Sequence, residues 1–139
     1  MDHLLFGAEW KSATGSKSGE LEGYISVFGN VDQGGDVVLP GAFKKTFAYW
    51  SRARTPLPLV ADHQLSTEGV IGSVTQMAED GVGAKIHALF SSVPKAQDIR
   101  TKMLEGHIGG MSFTYEPVDH SMGTKDGMHV RYLKEVRLY

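Results

Sequence analysis

Cysteine is absent from these 139 residues, which removes disulfides, zinc ribbons and thiol nucleophiles and permits a reducing cytoplasm. Long apolar runs are missing too, and nothing approaches the roughly 20 residues that span a bilayer. The opening Met1 to Trp10 has neither the basic start nor the apolar core of a secretory signal. A cytoplasmic protein with no membrane partner is expected. Charge of one sign is lacking as well. A net charge of −2 and a pI near 6.3 give no basic footprint, so no nucleic-acid partner is expected. What remains is 41% hydrophobic and 22% charged, the balance of a chain that buries a core. The length fits one domain over residues 1–139.

Along the chain, residues 11–20 are small and polar and read as a flexible loop between a short first strand and the body. Short strands with turn signals follow: Tyr24–Phe28, Val37–Leu39, Leu57–Val60, Val70–Val74 and Ala84–Leu89. Phe43, Phe47 and Trp50 recur at helical spacing, which predicts a first helix from Ala42 to about Ser51 with an aromatic face on the sheet. A second helix is predicted from Pro94 to about Glu105. A Ser precedes it as cap, Gly106 stops it, and Ala96, Ile99 and Met103 form its apolar stripe. Met111–Tyr115 and a final stretch from His129 to Tyr139 read as strands, with a polar loop over Asp119–Gly127 between them. The expected fold is α+β, mainly β: an antiparallel barrel or sandwich of short strands with two or more helices packed outside.

Two positions draw chemical interest. Ser112 sits in Gly109-Gly-Met-Ser-Phe-Thr-Tyr115, where Gly109 and Gly110 allow backbone N–H groups to approach a substrate carbonyl, as an oxyanion hole requires. The stretch is not the Gly-x-Ser-x-Gly elbow of α/β-hydrolases. His63 falls where an apolar strand runs into a loop, a place suited to a general base. By pattern alone, Ser112 also reads as a polar residue on the wet side of a strand, and His63 as a loop histidine. Asp62 is badly placed to orient His63, because adjacent residues of extended chain point to opposite faces. His87 belongs to the wet face of its strand, and His107 follows a helix end where a cation is favoured. His3, His120 and His129 make no metal spacing, and no metal or other cofactor is expected. Asp32 and Asp36, with Gln33-Gly34-Gly35, read as a tight turn rather than a calcium or phosphate loop.

A longer pattern adds to this reading. Glu22-Gly-Tyr-Ile-Ser-Val-Phe-Gly-Asn-Val-Asp32, continued by Gly35-Asp-Val-Val-Leu-Pro-Gly-Ala-Phe43, closely resembles the opening of the HK97-type prohead (capsid maturation) proteases of tailed phages. Pro58-Leu-Val-Ala-Asp-His63, then Ile71-Gly72, then Met103 to Ser112 match the later islands of that family. The resemblance covers residues 20 to 139.

It implies a serine endopeptidase with His63 as general base and Ser112 as nucleophile, similar in fold to the herpesvirus assembly proteases. The order, His before Ser, agrees. The implied partners are the major capsid protein, scaffolding protein and the protease itself. A homodimer is expected by analogy only. The implied place is the immature prohead within the host bacterial cytoplasm. The family's acidic third member follows a Leu-Tyr-like pair, whereas this sequence ends at Leu138-Tyr139. Strand parity argues against Glu135 or His129 as substitutes unless a bulge intervenes. The expectation is a form lacking its orienting carboxylate, a loss that costs on the order of 10⁴ in kcat in other triads. A protease-like, non-catalytic module that binds scaffold or capsid protein is the alternative.

Overall fold

The computed structural model describes residues 2–7, 19–32, 34–61, 67–107 and 110–139, with backbone alone for 2–7 and 110–114. The elements are β1 (Asp2–Gly7), β2 (Glu20–Val27), β3 (Asp36–Val38), α1 (Lys44–Arg52), β4 (Pro58–Val60), β5 (Val70–Glu79), β6 (Gly83–Phe90), α2 (Pro94–Leu104), β7 (Gly110–Lys125) and β8 (Met128–Leu138). They build two four-stranded sheets, ordered β1-β7-β8-β3 and β2-β6-β5-β4. Every named pairing is antiparallel except β3 on β8. Of the two expected architectures this is the sandwich rather than a closed barrel. The expected loop at residues 11–20 falls, except for Gly19 and Glu20, outside the described residues.

One core joins the two sheets. Leu21, Ile25, Ile71, Val74, Ile86 and Phe90 come from one side, and Val38, Tyr115, Leu133, Val136 and Leu138 from the other. Helix α1 seals an end of it, touching both β8 and β5. Its aromatic face forms as the spacing predicts: Phe43 and Phe47 are buried and stack at 5.3 Å, and Trp50 donates its Nε1–H to the Leu138 carbonyl at 3.2 Å. Helix α2 lies over β5 and β6 through Ala96, with Ile99 and Met103 against the core.

The ends of α2 show what the sequence signals mean physically. Pro94 occupies the first turn, where its missing N–H costs nothing. The expected serine cap is corrected: Val93 holds the N-cap position without a side-chain cap bond, and Ser91 Oγ accepts from the Val93 N–H one step earlier. At the other end Gly106 adopts φ +83°. The Gly106 N–H reaches the Met103 carbonyl and the His107 N–H that of Lys102, a Schellman closure.

The loop expected over Asp119–Gly127 is instead strand and turn. β7 runs through to Lys125 and turns at Asp126-Gly127, both with positive φ, into β8. Asp-Gly between paired segments is a strong hairpin signal, and the polar residues around it hide the strand because this ribbon exposes much of its surface.

Sheet packing leaves no room for a side chain at Gly83. A Cβ on Gly83 would stand 1.9 Å from the Ser26 carbonyl oxygen and 2.9 Å from the Val27 Cα, so β6 could not hold β2 at its present distance. Gly83→Ala is expected to lower stability by about 1–3 kcal/mol, the usual cost of overpacking, in a urea titration.

Candidate active site

Ser112 lies in β7, where its backbone pairs with Leu5 of β1, and Gly110 opens the strand opposite Gly7. The ladder with β8 begins only at Tyr115, which faces Leu138. Tyr115 is therefore paired on both sides, with Asp2 and with Leu138, while Gly110 to Thr114 pair with β1 among the described residues. Tyr115 is buried and Glu116 exposed, as the alternation expected for this strand requires. His63 and Gly109 lie outside the described residues. The Ala61 N–H binds the Gly69 carbonyl at 2.8 Å, which ties the end of β4 to the start of β5.

Beneath β7 sits a polar cluster that composition and spacing did not reveal. Asp36 is only 4% exposed. Its carboxylate accepts from Arg131 Nε at 2.7 Å and Nη2 at 2.9 Å, and from the Tyr115 hydroxyl at 2.8 Å. A buried carboxylate held by a guanidinium fork and a phenol satisfies the rule that interior charge must be paired and bonded. Asp36 reads from sequence as a turn acid because its partners are 79 and 95 positions away. The parallel pairing of Asp36 with Arg131 is a topological fact no local pattern carries.

The turn reading itself holds for Asp32. Its Oδ1 accepts the Gly34 N–H at 2.8 Å and the Asp36 N–H at 2.9 Å. Burial raises its pKa above the usual carboxylate value, and the neighbouring Asp36 charge pushes the same way. A carboxyl with a raised folded pKa favours the folded state below its unfolded pKa and gives up that contribution as pH rises through the folded value. Asp32→Asn keeps an oxygen acceptor for both N–H groups. It is expected to flatten the decline in stability across that window, measured by denaturant titration from acid to neutral pH.

Other acids and histidines have their own surroundings. Glu135 binds Lys45 at 3.3 Å. Glu116 takes Arg137 and the Tyr139 hydroxyl at its Oε2. A bulge does intervene in β8: the register skips Lys134 between Glu135 and Leu133. Parity counted back to His129 is thereby broken, and His129 stands by the hairpin tip opposite Thr124. His87 is half-exposed and 3.3 Å from Glu22, on the wetter face of β6 between buried Ile86 and Ala88, as expected. His107 is exposed beyond α2. Among the described residues no three His, Asp or Glu side chains gather into a metal-binding group, and no helix is long and apolar enough to cross a membrane.

A groove of about 540 Å³ is lined by Thr67, Glu68, Val70, Leu89, Val93 and Lys95 among others. Val70, Leu89 and Val93 each expose two fifths or more of their surface there.

Comparison with known proteins agrees with this geometry. The caudovirus prohead serine protease family matches residues 8–139. The prohead protease of Enterobacteria phage HK97 is 35% identical over 105 residues, which is 75% of this chain and 45% of that protein, so the chain spans under half of that relative's length. The structure of the bacteriophage T4 capsid assembly protease superposes with a TM-score of 0.61 over 96% of this chain and 86% of that one, at 13% identity, a likeness of fold. With nearly the whole chain matched, this protein belongs to the caudovirus prohead serine protease family.

Proposed function

We propose that this chain is a serine endopeptidase of phage capsid maturation, in which His63 is the general base, Ser112 the nucleophile, and the N–H groups at Gly109 and Gly110 stabilise the oxyanion. The observation that carries this is the family match over residues 8–139, which includes both His63 and Ser112. In the first step His63 takes the Ser112 hydroxyl proton as the oxygen attacks a peptide carbonyl. The tetrahedral oxyanion collapses to an acyl-enzyme, and the imidazolium returns its proton to the departing amine. Water, activated by the same imidazole, then releases the acid and restores Ser112.

The proposed substrates are scaffolding protein, scaffold-like segments of the major capsid protein, and the protease itself. The proposed place is the immature prohead in the host cytoplasm. The test is co-expression with the capsid and scaffolding proteins of the same phage, followed by intact-mass measurement of all three. Truncated products with the native chain and none with Ser112→Ala support the proposal. Assembly without any cleavage would instead indicate a binding module.

A further inference from the structure

The part of β7 that carries Ser112 is held differently from the rest of the strand. From Tyr115 to Lys125 it pairs with β8, whereas from Gly110 to Thr114 its described partner is β1 alone. Tyr115 stands where the two ladders meet, three residues from Ser112. Its ring is 1% exposed, and its hydroxyl crosses the interior to the Asp36 carboxylate at 2.8 Å. Asp36 is in turn fixed by the Arg131 fork from β8. A side chain on the nucleophile's strand is thus tied to an edge strand, β3, and to the central strand β8 of the same sheet.

We infer that the Tyr115–Asp36–Arg131 chain is the device that positions Ser112, with Tyr115 its positioning residue. The inference rests on Ser112 being the nucleophile. Packing alone could be served by phenylalanine, which fills the same volume without adding a buried hydroxyl to satisfy. The phenol supplies a directional bond to a charged acceptor, a stronger and stiffer link than a neutral one. Attack on a carbonyl demands reacting atoms within about 3–3.5 Å, and a displacement near 1 Å can cost about 100-fold. A tether at the last doubly paired residue limits such displacement.

The experiment is the rate of covalent labelling of Ser112 by a peptidyl phosphonate, resolved into the maximal inactivation rate and the probe's half-saturation concentration. It is run on the native chain, Tyr115→Phe and Arg131→Lys, below the melting temperature of each and with circular dichroism spectra matched. Arg131→Lys keeps the charge but loses the two-point fork. Tyr115→Phe is expected to lower the maximal rate about 10- to 100-fold with little change in half-saturation, and Arg131→Lys is expected to fall in the same parameter. A Tyr115→Phe chain that melts earlier yet labels at the native rate would overturn the inference and leave the nucleophile standing. A native chain that takes no label at Ser112 would sink the nucleophile assignment, and this inference with it.

Discussion

Ser112→Ala is expected to abolish proteolysis while leaving the circular dichroism spectrum and melting temperature close to native. The substitution removes one oxygen and nothing else. In a serine protease that oxygen makes the bond to substrate, and removing the nucleophile of a complete triad costs on the order of 10⁶ in kcat, a total that already includes whatever loss follows from a missing orienting carboxylate. Activity that survives comes from binding and oxyanion stabilisation, about 10³–10⁴ over water. The check is progress curves of peptide or scaffold cleavage at matched protein concentration. A loss of only a few-fold would mean that another residue attacks the carbonyl.

Asp36→Ala is expected to give the largest loss of stability among single substitutions at the polar cluster, about 3–5 kcal/mol. The buried carboxylate is the common acceptor for two Arg131 nitrogens and the Tyr115 hydroxyl. Alanine takes a counter-charge away from Arg131, whose side chain is only 30% exposed, and truncates a side chain between β3 and β8. Arg131 then loses the carboxylate that offsets part of its desolvation, which is why breaking a buried pair costs more than the pair contributes. Urea unfolding followed by tryptophan fluorescence reads this directly, since Trp50 packs on the neighbouring end of β8. A change under about 1 kcal/mol would show that water enters and satisfies the cluster, as for exposed pairs.

The parts of the fold legible in sequence are those encoded by local periodicity. Phe43, Phe47 and Trp50 at helical spacing fixed α1, and Pro94 and Gly106 bounded α2 to within a residue. The alternation of Ala84, Ile86 and Ala88 gave β6 and placed His87 on its wetter side. β5 proved longer than its apolar start, because Gln76 to Glu79 form a ladder with β6 after a bulge at Thr75 without burying a regular apolar row. The same cause hid the outer half of β7, whose residues from Val118 to Thr124 expose or half-expose their side chains. Ladder bonds of the backbone, not side-chain burial, define those stretches, and backbone bonds leave little trace in composition.

The candidate site divides along similar lines. Ser112 and His63 take their proposed roles from family resemblance, because one serine and one histidine carry too little pattern to stand out. The bonding of Asp36 to Arg131 and Tyr115 was not legible. Asp36 has a sufficient local reading as a turn acid and Tyr115 as a strand aromatic, Arg131 has no motif of its own, and only the pairing of β3 with β8 brings them together. Glu135 pairs with Lys45 beside the bulge at Lys134, a break in strand parity that no local pattern carries.

The most direct measurement is tryptic mapping of the chain after reaction with a serine-directed phosphonate, in the native form and in His63→Ala. The expected result is one adduct, on Ser112, whose formation slows by several orders of magnitude when His63 is removed, as in other triads. No adduct, or an adduct on another serine at a rate indifferent to His63, would contradict the assignment of this chain's nucleophile and base.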